Sequence, residues 1–212
     1  MERLIIFGAT GGTGQEVVKQ ALNNGHQVTI VIRRPLSFPF QHPQLKIVQG
    51  DVLQLSTFAG EMQGKDAVIS CLGVGSSRKP TTLYSEGIQN IIAGMELAGV
   101  DRLVCISAGA LYVNKQMGFF VRLLTKLVLQ KIFKEMYDDM RLMEVIVEKS
   151  KLNWTIVRPP MLKDNPLTGI YRTAIAAHIK RPFSIGRADL AHFILSIVRD
   201  SQTFATKAEL SY

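Results

Sequence analysis

The sequence predicts an α/β fold: a doubly wound parallel sheet with helices on both faces, formed as a single domain over residues 1–212. Three observations carry this prediction. Short apolar runs alternate with stretches of helical periodicity along the chain. The runs are continuously apolar, as strands covered on both faces are. A cluster of glycines follows the first run directly, where a strand would turn into a helix.

Arg3–Phe7 is the first run. Residues 15–24 then have helical spacing, with Val17, Val18, Ala21 and Leu22 on one face and Gly25 as the stop. Gln27–Ile32 is β-branched and reads as a strand. Residues 35–43 hold three prolines and read as a loop. Leu45–Gln49 is a third strand, residues 53–62 a short helix, and residues 66–71 a fourth strand. Residues 81–98 are helical, with Ile88, Ile91, Ile92 and Met95 on one face, and Gly99 closes them. Arg102–Ile106 is a fifth strand, ending at Ser107. Residues 118–149 are helical in character but too long for one ordinary helix, so a break is expected. Residues 153–157 form a strand, residues 188–198 a helix after Gly186, and residues 208–212 a last edge strand. Right-handed crossovers between parallel strands give the doubly wound arrangement. Ligands bind such sheets at the carboxyl ends of the strands. The glycine turn, Arg33, Asp51, Gly73 and Ser107 all fall there.

Hydrophobic residues make up 47% of the 212 and charged residues 20%, a globular balance with enough chain for a full core. The opening apolar run is too short for a secretory signal. The most apolar later stretch, residues 117–133, is interrupted by Arg122, Lys126 and Lys131. It fails as a membrane span, which needs about 20 mostly apolar residues. The expectation is a soluble cytoplasmic protein. Cys71 and Cys105 sit in apolar runs and are expected as reduced, buried thiols. The four histidines are scattered and there is no CxxC, so no metal site is expected. The net charge is +8. The basic residues come in small groups: Arg33-Arg34, Arg78-Lys79, a spread over residues 115–134, and Lys180-Arg181. No nucleic-acid-binding signature accompanies them. An anionic cofactor and substrate account for part of the excess, and solvated surface for the rest.

The glycine turn reads Phe7-Gly8-Ala9-Thr10-Gly11-Gly12-Thr13-Gly14. Gly8, Gly11 and Gly14 have GxxGxxG spacing between a strand and a helix, the context of a dinucleotide-binding turn. Glycine permits positive φ and close backbone approach to a pyrophosphate, while N–H groups at the helix start face the anion. Thr10 and Thr13 add hydroxyl donors. No Gly-Lys-Ser/Thr follows, which excludes a P-loop. An NAD site would place Asp or Glu at the end of the second strand. Here Arg33-Arg34 stand there, and a guanidinium suits a 2′-phosphate. The expected cofactor is NADPH. Asp51, after the third strand, is read equally as an adenine contact or a helix cap.

The chain resembles atypical short-chain dehydrogenases of the NAD(P)H-binding, NmrA-like group, and especially the biliverdin reductase B / flavin reductase family. The resemblance runs through Ile6-Phe7-Gly8-Ala9-Thr10-Gly11, Gly50-Asp51-Val52-Leu53, Leu72-Gly73, Pro80-Thr81-Thr82 and Ser85-Glu86-Gly87. It continues through Asn90-Ile91, Gly99-Val100-Asp101, Arg158-Pro159-Pro160, Pro166-Leu167-Thr168-Gly169 and Asp189-Leu190-Ala191-His192-Phe193. It implies a Rossmann-like domain and NADPH-dependent reduction of flavins or linear tetrapyrroles. It assigns Gly8, Thr10, Gly11, Gly12, Thr13 and Gly14 to the pyrophosphate, and Arg33 with Arg34 to the 2′-phosphate. It makes Asp51 and Val52 the adenine contacts. Leu72, Gly73 and Gly75 then line the ribose, and Cys105, Ile106, Ser107, Met161 and Leu162 flank the nicotinamide. Two departures stand out. Met161 replaces the histidine often found after the double proline, so no side-chain proton donor is expected there. Residues 111–133 are longer and more apolar than in the reductases, which leaves the substrate least transferable.

Many short-chain dehydrogenases use a Tyr whose pKa a Lys lowers. Here Tyr137 is followed by Arg141, giving YxxxR, and arginine does not replace lysine in that role. Tyr137 is expected as a surface tyrosine. Ser107 is the catalytic candidate, bonding the nicotinamide amide or the substrate, with a turn cap as its plainer reading. The segment 119–133 is amphipathic, with Phe119, Phe120, Leu123, Leu124, Leu127, Val128, Ile132 and Phe133 apolar. It is expected to pack on the domain or a second subunit, with a pocket lid or a membrane-surface contact as alternatives. The expected function is hydride transfer from NADPH to a flat conjugated acceptor, a flavin (FMN or FAD) or a tetrapyrrole, by a monomer or homodimer. The rivals are a non-catalytic NADP(H) sensor and an epimerase, for which the Tyr–Lys pair is missing.

Overall fold

The computed structural model describes residues 1–212 apart from Ser76, Arg78, Asn114, Lys115 and Met117, and apart from the side chains of Ser37, Phe120 and Val121. Of the groups singled out above, Arg78, Lys115, Met117 and the Phe120 side chain therefore lie outside the described residues.

Strand β1 (Arg3–Phe7) leads through the glycine turn into helix α1 (Gly12–Asn23). Then come β2 (Gln27–Ile32), β3 (Leu45–Gln49) and β4 (Ala67–Ser70). Helix α2 (Leu83–Ala98) precedes β5 (Arg102–Ile106). The long helical region breaks, as its length requires. Helix α3 (Phe119–Leu124) passes into a π-helical turn (Thr125–Leu129) and a last turn, α4 (Gln130–Ile132). Phe133 leaves helical geometry, and α5 (Lys134–Lys149) follows. The chain ends with β6 (Asn153–Arg158), β7 (Met161–Lys163), β8 (Arg172–Ile175), β9 (Ser184–Gly186), α6 (Arg187–Ser196) and β10 (Thr206–Ser211).

The main sheet has the order β3-β2-β1-β4-β5-β6-β10-β8. Its pairings are parallel except β10 with β8. The chain winds outward to β3, returns, and crosses from β1 to β4, so the switch point lies between those two strands. Alternate residues of β1 face opposite layers. Leu4 and Ile6 pack with Val17, Ala21, Leu190 and Ile194 of α1 and α6. Ile5 and Phe7 pack with Ile88, Ile91, Met140 and Val147 of α2 and α5. The fold is thus the doubly wound, mostly parallel Rossmann-like sheet expected from the apolar runs.

Three details depart from expectation. Residues 53–62 form two 3-10 turns, Leu55–Thr57 and Ala59–Met62, rather than an α-helix. The terminal strand β10 is not at the edge, because β8 returns antiparallel beyond it. In the 119–133 segment Phe133 packs against the α2–α5 core, but several of the described apolar side chains face outward. Leu123, Leu124, Leu127, Val128 and Ile132 are exposed, while Thr125 is buried and Leu129 and Gln130 are half-buried. Among the described residues, no helix is long and apolar enough to cross a membrane.

Candidate functional site

A cleft of about 500 Å³ opens at the carboxyl ends of β1, β2, β4, β5 and β6. Its floor is the glycine turn, and sterics explain the glycines. Gly8 has φ +74°, and a Cβ there would lie 2.2 Å from the Cys71 carbonyl oxygen. A Cβ on Gly14 would lie 2.2 Å from the Gly8 carbonyl oxygen. Side chains at either position would push β1, α1 and the β4 end apart. Helix α1 starts at Gly12 with no capping side chain and no acid in its first turn. Its first N–H groups have no intrahelical acceptor and face the cleft.

Thr10, Gly11, Gly12 and Thr13 line this floor with Gly8 and Gly14, and Arg33 lines the wall at the end of β2. Asp51 and Val52 line the next wall. Asp51 Oδ1 accepts the Leu53 N–H at 3.0 Å, so the carboxylate also holds its own turn. Leu72, Gly73 and Gly75 line the cleft beyond β4, and Ile106, Ser107 and Leu162 line its far end. Three sequence-nominated residues do not line the cleft. Arg34 is exposed beyond it. Met161 is 51% exposed, to one side. Cys105 is wholly buried, because alternation along β5 turns it into the α2–α5 layer while Ile106 faces the cleft. Burial pushes the Cys71 thiol up to about 12, and it raises that of Cys105 as well.

The sequence reading gave no site role to several residues that the structure brings to the cleft or behind it. Glu144 of α5 is wholly buried and accepts the Ser107 hydroxyl hydrogen at 2.6 Å. The same carboxylate binds Arg158 in a bidentate pair: Nε donates to Oε1 at 2.9 Å and Nη2 donates to Oε2. The Arg158 guanidinium lies over the Tyr112 ring, 4.4 Å from its centroid. Burial alone would lower the Arg158 pKa, but the bond to Glu144 outweighs it and the net shift is upward. Glu144 sits in the buried stripe Tyr137-Met140-Met143-Glu144-Val147, and a carboxylate inside an apolar stripe is the signal that could have found it. Tyr84 lines the cleft, and its phenol oxygen accepts the Val74 N–H at 3.2 Å.

Arg187, the first residue of α6, also lines the cleft. Its Cδ and Nε come within 2.8 and 3.0 Å of where a Cβ on Gly12 would stand. Its Nη1 reaches Asp164 at 2.5 Å. Glycine at position 12 thus lets an arginine lie across the start of α1. Tyr137, expected on the surface, is 6% exposed and packs in the core between α2 and α5. Burial raises its pKa, and it does not line the cleft.

Ser107 can be read more closely. A carboxylate only accepts, so the serine hydrogen is committed to Glu144. Toward the cleft Ser107 therefore offers lone pairs: it can receive an amide N–H but does not supply a proton.

The sequence and the fold resemble those of known proteins. A model of the NAD(P)H-binding family matches residues 8–201. An uncharacterized chloroplastic protein of Arabidopsis thaliana is 30% identical over 184 residues, which is 79% of this chain and 62% of that protein. The chain spans 34% to 49% of the length of several other curated relatives. Among solved structures, a wide-type short-chain dehydrogenase/reductase of Veillonella parvula in complex with NADP superposes with a TM-score of 0.83. It is 16% identical, covering 100% of this chain and 95% of that one. ChuY, an anaerobilin reductase of Escherichia coli O157:H7, superposes with a TM-score of 0.77 at 22% identity, covering 98% and 96%. At these identities the likeness shows a shared fold. The family match begins on the first glycine of the turn and takes in every strand end that lines the cleft beyond it, so the chain belongs to the NAD(P)H-binding family.

Proposed function

We propose that this protein is an NADPH-dependent reductase delivering hydride to a flat conjugated acceptor, a flavin such as FMN or FAD, or a linear tetrapyrrole. One observation carries the reading. The cleft gathers the glycine turn, Arg33, Asp51 and Leu72 to Gly75 along one wall, yet Ser107 at its far end has its hydrogen held by Glu144. Such a site binds and aligns well but supplies no side-chain proton from that serine. Carbonyl or alcohol chemistry needs a positioned acid or base. Hydride transfer to a conjugated ring mainly needs alignment, with solvent as the proton source.

The residues fit the cofactor. The uncapped start of α1 and the Cβ-free approaches at Gly8 and Gly14 suit a pyrophosphate, with Thr10, Gly11, Gly12 and Thr13 around it. Arg187, laid over Gly12, adds a guanidinium at the same end. Arg33 takes the 2′-phosphate, Asp51 and Val52 the adenine, and Leu72, Gly73 and Gly75 the ribose. Ile106, Ser107 and Leu162 border the nicotinamide, where Ser107 accepts from the carboxamide. Bound NADPH supplies the hydride. The chain's part is to hold the ring face open to the acceptor and to keep Ser107 oriented through Glu144 and Arg158. A shared fold with an anaerobilin reductase and with an NADP complex supports this reading.

The test is NADPH oxidation by the purified chain with FMN, FAD, riboflavin and biliverdin, alongside NADPH binding measured by calorimetry. Turnover with one of these acceptors is the expected result. Tight NADPH binding without turnover on any of them would overturn the reductase reading in favour of an NADP(H) sensor.

A further inference from the structure

We propose that the helical segment from Phe119 to Ile132 is an interfacial membrane contact that seats the protein on an anionic lipid surface. The inference goes beyond the reductase reading and does not depend on it. The outward side of this segment is apolar. Leu123 is 44% exposed, Leu124 54%, Leu127 49%, Val128 39% and Ile132 41%, and Phe119 at its start is 63% exposed. The spacing 123/124, 127/128, 132 repeats every four or five residues, so the side chains share one face of a helix widened by its π turn. An ordinary surface helix turns such a face inward. Here, among the described side chains, the inward side of residues 122–132 is lined by Thr125, Leu129 and Gln130. The Gln130 amide donates to the carbonyls of Ala110 and Leu111, both at 3.1 Å, which fixes the helix in this orientation.

Charge selects the occupant. No Asp or Glu occurs between Asp101 and Glu135, while Lys115, Arg122, Lys126, Lys131 and Lys134 all do. Lys126 and Lys131 are exposed among the leucines. A second copy docking face to face would set the same lysines against each other in a drying interface, and the chain already carries +8. Anionic headgroups answer both features at once: they neutralise the lysines, and the leucines enter the boundary beneath them. The carbonyls that anchor Gln130 lie just past Ala108 of the cleft wall, so the lipid-facing helix and that wall are joined directly.

The experiment is co-sedimentation of the full chain with two kinds of vesicle, phosphatidylcholine alone and phosphatidylcholine with one third phosphatidylglycerol. Binding to the anionic vesicles only, weakened by added salt, is expected. Leu124→Asn with Leu127→Asn keeps every charge and should cut the vesicle-bound fraction at least tenfold. Lys126→Gln with Lys131→Gln should weaken binding severalfold. These side chains are exposed, and unchanged thermal unfolding would show that the variants fold. Three results would each overturn the proposal: no binding to anionic vesicles at low salt, undiminished binding by the asparagine pair (a merely cationic protein), or a dimer in sedimentation equilibrium that the asparagine pair dissociates.

Discussion

Arg33 and Arg187 reach the same cleft from opposite ends of the chain, and the cofactor reading gives them different work. Arg33 ends β2, where a 2′-phosphate would lie, and Arg187 crosses the start of α1, where the pyrophosphate would lie. A charged hydrogen bond is worth about 1.5–3 kcal/mol, or roughly ten- to a hundredfold in Kd. Arg33→Glu should therefore weaken NADPH binding at least that much and leave NADH binding nearly unchanged. Arg187→Ala should weaken both cofactors by similar factors, since both contain the pyrophosphate. Titration of each cofactor against each variant checks this, and equal losses for Arg33→Glu would sink its assignment. The place of Arg33 at the cleft was legible because it follows a β-branched run at the carboxyl end of a strand. Arg187 and Glu144 were not, because their partners, Gly12 and the Ser107–Arg158 pair, are distant in sequence.

At the scale of elements, ends explain more than middles. Helix α2 begins after Thr82, whose side chain makes no capping bond. Thr81 Oγ1 accepts the Leu83 N–H at 3.1 Å, and the rest of the cap comes from another helix. Asp139 of α5, 7% exposed, accepts the N–H of Tyr84 at 2.8 Å and of Ser85 at 3.2 Å, as well as the Ser85 hydroxyl. A carboxylate so placed answers both the orphan N–H groups and the helix dipole. Asp139→Ala strands those donors, and the cost should be about 1–3 kcal/mol. Asp139→Asn, which keeps one oxygen, should lose less. Urea unfolding measures both, and a loss below about 0.5 kcal/mol for the alanine variant would show that α2 is capped otherwise. Arg102 serves the opposite kind of end. It is buried and donates to the carbonyls of Ile197 and Val198 just beyond α6. Burial lowers its pKa to about 10. The four long helices were readable because several turns of periodicity accumulate in each. Strands β7, β8 and β9 have three or four residues each, too few for a period to show. The displacement of β10 from the edge depends on β8 pairing back, which no local pattern records.

For the molecule as a whole, one buried carboxylate joins the last third of the chain to itself. Asp189, wholly buried near the start of α6, accepts the N–H groups of Thr168 and Gly169 at 3.0 and 2.8 Å. It also accepts the hydroxyls of Thr168 and Tyr212, at 2.9 and 2.6 Å. Tyr212 in turn receives the Gly186 N–H at 3.0 Å, so the segment before β8, the end of β9, α6 and the final residue meet at one group. The Pro166-Leu167-Thr168-Gly169 and Asp189-Leu190 segments, noticed separately in the sequence, are the two halves of this knot. Burial by itself would raise the Asp189 pKa, but the Tyr212, Gly169 and Thr168 bonds outweigh it and the net shift is downward. A carboxyl with a lowered folded pKa stabilises the fold above its unfolded pKa, about 3.9, and loses that contribution as pH falls through the folded value. Asp66 is lowered as well, chiefly by its bond to Arg3, so acid weakens the protein at more than one place. Asp189→Asn separates the contributions. At pH 7 the variant should be less stable than the parent by about 1–3 kcal/mol, the cost of acceptors lost to buried donors. As pH falls below the unfolded pKa of about 3.9 and on through the lowered folded value, the parent protonates the same site and the gap should narrow, while the loss arising from Asp66 continues in both proteins. Urea unfolding of parent and variant at pH 7, 4 and 3 reads the difference directly, and a gap that stays constant across that range would mean that Asp189 holds the knot by packing rather than by charge.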